Sequence, residues 1–222
     1  RDKDHSAVQA CLKSYIESVV LHDAGWEAVS RGNIEIVKSV IAKKGFYIHQ
    51  HDHKGASLLH RAAEHGHVEV MELLIQKELN IHALDHTKTS ILNYAAENGH
   101  VEALTLLLKL GADAHQLCDK GKTPLHYAAK NGHAEVAKLL LDRGVEVGQL
   151  DYDKVSPLHE AAKNGHVGVV ELLLDREAEV NSLDLMENSP LSETAANGYV
   201  EIAKLLLARG VSVQELDGFE NS

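Results

Sequence analysis

Glycine recurs along this 222-residue chain at a nearly fixed interval. Gly32, Gly66, Gly99, Gly132, Gly165 and Gly198 stand 34, 33, 33, 33 and 33 residues apart. A period in that range marks an array of stacked supersecondary units and constrains the fold more than any other feature. The surroundings of each glycine keep the same register. Alanine pairs precede four of them (Ala62-Ala63, Ala95-Ala96, Ala128-Ala129, Ala161-Ala162), with Thr194-Ala195 as a variant. Leucine-rich runs follow, at Leu73 to Ile75, Leu106 to Leu108, Leu139 to Leu141, Leu172 to Leu174 and Leu205 to Leu207. The three prolines, Pro124, Pro157 and Pro190, are also 33 residues apart, and Leu58 and Ile91 fill their slot in earlier units.

Each unit reads as a pair of antiparallel helices. In the fourth, Thr123 is suited to cap a first helix and Pro124 to open it, where a missing N–H costs nothing. Leu125, Ala128 and Ala129 recur at helical spacing and predict its buried face. Gly132 supplies the left-handed turn that stops it. A second helix is expected over Glu135–Asp142, burying Val136, Leu139, Leu140 and Leu141. Gly144 ends it, and the turn-rich stretch from Val145 to Lys154 is expected to project as a hairpin. Only nine residues are Phe, Trp or Tyr, too few for a large globular core. A stack of thin helical pairs instead builds its core from Ala, Leu and Val.

The pattern resembles the ankyrin repeat. The family stretch D-x-x-G-x-T-P-L-H-x-A-A-x-x-G-H stands almost whole as DKGKTPLHYAAKNGH from Asp119 to His133. It recurs as SPLHEAAKNGH from Ser156, SLLHRAAEHGH from Ser57, SILNYAAENGH from Ser90 and, further off, SPLSETAANGY from Ser189. The first unit keeps only Ala28 and Gly32 and has Trp26 where the others carry His or Asn. The resemblance implies an all-α solenoid of stacked helix-turn-helix units with hairpin loops. The expected divisions are a degenerate first repeat at 23–51 and repeats at 52–84, 85–117, 118–150, 151–183 and 184–216. A truncated seventh repeat is expected to start at 217–222.

The two ends of the array carry expectations of their own. Residues 6–22 read as an amphipathic helix through Val8, Leu12, Tyr15, Ile16 and Val19. Residues 1–22 are therefore expected to form an N-terminal capping helix, since terminal units of a stack need covering; a targeting or partner-binding helix is the alternative. The sixth unit's second helix is as apolar as the internal ones. The chain also starts at Arg1 rather than Met. The natural protein is thus expected to continue past Ser222, with more repeats or another domain.

Charge and cysteine usage narrow the function classes. The net charge is −11, and it is uneven: eight basic and seven acidic side chains in residues 1–55, against 14 and 26 in the remainder. Such a surface argues against nucleic acid, which needs clustered Lys and Arg. Cys11 and Cys118 are too few for a disulfide framework and lack a CxxC partner, which fits a reducing cytoplasmic setting. No run approaches the roughly 18 apolar residues of a membrane span, and the polar start RDKDHS is no signal peptide.

Sixteen histidines raise the question of metal. Repetition absorbs most of them. His60, His126 and His159 hold the T-P-L-H slot; His67, His100, His133 and His166 follow the central glycine; His49, His82 and His115 share a third register. All ten read as hydrogen-bonding residues that tie turns and neighbouring units together. His49, His51 and His53 alternate along one extended segment and would converge on Zn or Ni if a further ligand closed the site. None is evident, so no metal and no cofactor is expected. His115 and Cys118 lack the orienting base and oxyanion site of a nucleophile, and the chain is not expected to be an enzyme.

The ankyrin resemblance implies protein binding on a concave surface of hairpin tips and first helices, at slots the repeat pattern leaves free. Those slots hold Arg61 in the second unit, and His86, Tyr94 and Glu97 in the third. The fourth contributes Lys120, Lys122, Tyr127 and Lys130, and the fifth Tyr152, Glu160 and Lys163. Tyr and Arg are the types most often energetic at interfaces, although a tyrosine in that slot would equally pack on its own hairpin. The four lysines make units four and five locally basic, while Leu185 and Met186 form an exposed apolar tip. The expected role is a monomeric adaptor or scaffold that binds a protein or peptide. The alternative is the substrate-recruiting or regulatory arm of a larger enzyme or pathogen effector, acting in a host cytosol, whose chemistry lies outside these residues.

Overall fold

Helix starts in the computed structural model, which describes Glu17 and residues 19–210, follow the capping chemistry of each unit. Ser57, Thr123, Ser156 and Ser189 stand in extended conformation, and each forms a reciprocal capping box with the residue three positions on. Ser90 caps its helix by accepting from the Asn93 N–H. The elements are α1 (19–30) and α2 (Ile34–Ile41), α3 (Leu58–Glu64) and α4 (Val68–Gln76), and α5 (Ile91–Glu97) and α6 (Val101–Lys109). They continue with α7 (Pro124–Lys130) and α8 (Ala134–Asp142), α9 (Pro157–Lys163) and α10 (Val167–Asp175), and α11 (Pro190–Asn197) and α12 (Val200–Ala208). The proline at the start of α7, α9 and α11 sits where its missing donor is harmless.

Glycine ends each first helix as expected: Gly66, Gly99 and Gly132 hold φ of 70°, 76° and 78°. These positions have a second role across the stack. A Cβ on Gly66 would lie 2.5 Å from Nδ1 of His100, and one on Gly132 2.5 Å from Nδ1 of His166. Each ring thus lies against the glycine of the preceding unit. Its Nε2 also bonds that unit's backbone: His100 to the Glu64 carbonyl at 3.0 Å, His133 to Glu97 at 3.0 Å, His166 to Lys130 at 2.9 Å.

Within each unit from the second on, the first helix packs on the second, and neighbouring units pack first helix on first helix (α3, α5, α7, α9, α11) and second on second (α2, α4, α6, α8, α10, α12). The alanine pairs Ala62-Ala63, Ala95-Ala96, Ala128-Ala129 and Ala161-Ala162 are fully buried, which lets successive first helices approach closely. Leu74, Leu107, Leu140 and Leu173 fill the space between the two layers. The result is the all-helical repeat solenoid the sequence implied.

Between units the chain makes a short hairpin. Asp52, Asp85, Asp151 and Asp184 each fold their carboxylate back onto the N–H groups two and four residues on, at 2.8 to 2.9 Å. Successive tips are joined through the backbone, His86 N–H to Lys54 O, Asp119 to Thr87, Tyr152 to Lys120 and Leu185 to Asp153, at 2.8 to 3.0 Å.

One expected boundary falls inside an element. The division at 22/23 between cap and first repeat lies within α1. Nothing there breaks the helix: the Trp26 indole N–H donates to His22 Nε2 at 3.1 Å across one turn, and Gly25 leaves space that Phe46 fills. The rest of the expected cap (1–16 and 18) and the start of a seventh repeat (217–222) lie outside the described residues.

Candidate functional site

The hairpin tips and the exposed sides of the first helices enclose an open groove of ≈ 710 Å³ across three units. His53, Lys54 and Glu64 form one wall, and Tyr127 and Asn131 the other. Asp85, His86, Thr87, Thr89, Tyr94, Glu97 and Asn98 make up the floor and middle. Of the expected binding residues, the groove therefore gathers His86, Tyr94, Glu97 and Tyr127.

The two tyrosines are half-buried and turn their hydroxyls inward. Tyr94 donates to Asp85 Oδ2 at 3.0 Å and sets its ring edge-on to His60, with centroids 5.2 Å apart. Tyr127 donates to Cys118 Sγ at 3.4 Å, because Cys118 occupies the slot that holds aspartate elsewhere. Burial, then these bonds, raises both phenol pKa values well above the usual range. Desolvation would raise the Asp85 carboxyl, but bonds from the Thr87 hydroxyl, the Thr89 and Thr87 N–H groups and Tyr94 outweigh it and hold the pKa low. The tyrosines thus serve their own hairpins and offer the groove ring surface rather than a free donor.

Arg61 lies in a separate hollow on the first-unit side, with Trp26, Asp23 and His53. Its guanidinium sits 5.6 Å from the Trp26 ring centroid and pairs with Glu64 at 2.8 Å. On the far side, two of the four lysines expected to make the surface basic are neutralised. Lys122 bonds Glu160 of the next unit and approaches Asp151 at 3.7 Å. Desolvation would lower the Lys122 pKa, but these two carboxylates raise it overall. Lys163 likewise reaches Glu193 of its neighbour at 3.0 Å. Lys120 and Lys130 remain exposed. Glu160 is buried, so it is a structural partner of Lys122 rather than a free contact. Tyr152 is 67% exposed at its hairpin tip and lies against Gly121; the adjacent tip presents Leu185 and Met186, 58% and 83% exposed.

Seven of the ten register histidines make the hydrogen bonds expected of them: His60, His126 and His159 at the helix caps and His67, His100, His133 and His166 across units. His60 leaves its Nε2 unpartnered, and the third-register side chains of His49, His82 and His115 depart from the expectation, since His82 and His115 bond only through their backbone N–H groups. His126 accepts the Thr123 N–H on Nδ1 at 3.1 Å and donates from Nε2 to the Val155 carbonyl at 3.1 Å. His159 repeats this with Ser156 at 3.2 Å and Asn188 at 3.1 Å. His49, His51 and His53 are exposed, and His49 packs edge-on to Tyr47. Among the described residues, no group of three or more His, Cys, Asp or Glu is gathered in metal-binding geometry.

Sequence reasoning named the tyrosines but missed Asp85 and Cys118 as their anchors. The available signal was the constant nine-residue spacing from turn residue to tyrosine in both units. It also missed the Lys122–Glu160 link, which joins residues 38 apart and exists only through stacking.

Compared with known families, the chain matches the model for ankyrin repeats (3 copies) in four overlapping stretches, 26–117, 80–151, 110–184 and 147–217. None of the curated proteins compared with the chain matches it.

Proposed function

The chain belongs to the ankyrin-repeat family, and from that premise we propose that it is an adaptor or scaffold that receives a protein or peptide segment in the groove spanning its second to fourth repeats. Ankyrin repeats are generally protein–protein interaction modules and typically non-catalytic. The observation that carries the reading is the groove itself: three consecutive repeats contribute walls to one hollow, mostly from positions that neither cap a helix nor fill the core. Such an extended surface is what a solenoid offers a partner.

Tyr94 and Tyr127 supply the anchoring ring surface, and Thr87, Asn98 and Asn131 the adaptable polar contacts. The protein acts as a cytoplasmic monomer in this reading, and its acidic charge disfavours nucleic acid. No helix among the described residues is long and apolar enough to cross a membrane.

Asn98 and Asn131 are exposed at the groove edge, with their amides bonded only to the preceding turn. Replacing both with arginine should weaken a captured partner at least tenfold, about 1.4 kcal/mol, with an unchanged melting temperature. Unchanged affinity would refute the groove as the binding surface. Tyr94→Ala with Tyr127→Ala should weaken binding similarly, but at some cost in stability, because both hydroxyls bond their own hairpins.

A further inference from the structure

Leu84, Leu117, Leu150 and Leu183 hold one slot in four consecutive units, each immediately before the turn residue Asp85, Cys118, Asp151 or Asp184. Neighbouring side chains along an extended segment face opposite ways. Leu84 accordingly lines a small hollow with Ile81, His82, Ala112, Asp113 and Gln116, none of which borders the groove described above. Leu84, Leu150 and Leu183 are 38%, 40% and 42% exposed, and Leu117 is half-buried. The hairpin itself does not require leucine there. His51 holds the slot one unit earlier and makes the same antiparallel bridge, to Ser57, that Leu84 makes to Ser90. A single exposed leucine is ordinary, but one repeated at the same place in four consecutive units sets a row of apolar side chains along the stack.

The strip has an acidic edge. Asp113, Glu146 and Glu179 each follow a leucine of the row by 29 residues. Asp113 lines the hollow beside Leu84, and the repeat carries the same relation to Leu117 with Glu146 and to Leu150 with Glu179. All three acids are exposed. The Asp113 carboxylate accepts only the His115 N–H and the Glu179 carboxylate only the Asn181 N–H; among the described residues no Lys or Arg pairs with any of the three carboxylates. Two copies meeting along this strip would oppose like charges, which is unfavourable. A basic partner is complementary.

Spacing selects its form. Stacked helices lie about 8–10 Å apart, so the leucines repeat at about that interval. Residues seven apart on a helix rise about 10.5 Å, so a helix lying along the stack presents one apolar side chain to each unit. We propose that the leucine row, edged by Asp113, Glu146 and Glu179, docks a Lys/Arg-rich amphipathic helix of a protein partner, independently of the groove on the other side of the hairpins.

The test uses the full chain and fluorescent helical peptides of about three heptads, with leucine on one face and lysine on the other. A Leu/Glu peptide and a Ser/Lys peptide serve as counterparts. The Leu/Lys probe should bind at least tenfold more tightly than either counterpart. The variant Leu84→Ser/Leu117→Ser/Leu150→Ser should lose at least tenfold in that affinity. Glu146→Lys/Glu179→Lys, which leaves every leucine in place, should shift preference toward the Leu/Glu probe. Asn98→Arg/Asn131→Arg should change nothing, separating this surface from the groove. Equal binding of the Ser/Lys probe, or unchanged affinity in the leucine and charge variants, would overturn the proposal. So would sedimentation showing a dimer that the triple serine variant dissolves, since a second copy would then occupy the strip.

Discussion

His60, His126 and His159 each receive the N–H of a capping serine or threonine on Nδ1, which requires that nitrogen to be unprotonated. Burial holds all three below the ordinary histidine pKa of 6.5, His60 at about 4. A folded-state value below the unfolded one means that the unfolded chain binds protons first as pH falls. Stability is therefore complete above about pH 6.5 and declines toward pH 4, with about 3 kcal/mol from His60 alone. Thermal melts across this range should show the decline, and His60→Gln should flatten it; a pH-independent melting temperature would contradict the assignment. The third repeat offers a converse case. Asn93 replaces the histidine, is 1% exposed, and leaves its Nδ2 without a partner. An imidazole there should reach the Lys122 carbonyl, 29 residues on, as His126 reaches Val155. Asn93→His is expected to stabilise the fold by about 1 kcal/mol, read as a higher urea midpoint.

At the scale of the element, hairpins differ in how well their residues suit the backbone. Gly55 and Gly121 adopt φ of 80° and 76° at the tip, but Lys88, Lys154 and Glu187 occupy the same position at 56°, 58° and 63°. A side chain in that left-handed region costs about 1 kcal/mol. Lys154→Gly should recover part of it, partly offset by the entropy glycine adds to the unfolded chain. A modest rise in melting temperature is expected; a fall would show that Lys154 makes a compensating contact. What was legible in the sequence divides at this scale. Thr123, Pro124, Ala128, Ala129 and Gly132 lie within ten residues and act through local capping and periodicity, so α7 can be read from them alone. The Tyr94 hydroxyl on Asp85 ties α5 to the hairpin turn before it, and Lys122 on Glu160 links two units. The first leaves a nine-residue spacing as its trace in the sequence, whereas the second depends on how the units stack, which no local pattern encodes. That is why four lysines read as a basic patch when two of them are neutralised by the next repeat.

The whole molecule is a one-dimensional stack in which each repeat touches only its neighbours, so its surfaces extend rather than close. Its cross-repeat bonds (histidine to the preceding carbonyl, tip to tip, Lys163 to Glu193) hold the spacing of those surfaces constant. That constancy makes a groove of residues from three repeats a single site, while the outer face of α8 presents solvated charge such as Glu135 and Lys138. The most direct test places a photo-crosslinking amino acid at Asn131 in the groove or at Glu135 on α8, in otherwise identical protein, and exposes each to a partner-containing lysate. Binding in the groove predicts one discrete protein adduct from position 131, competed away by unlabelled wild-type chain, and none from position 135. Adducts of equal yield at both positions, or only at 135, would contradict it.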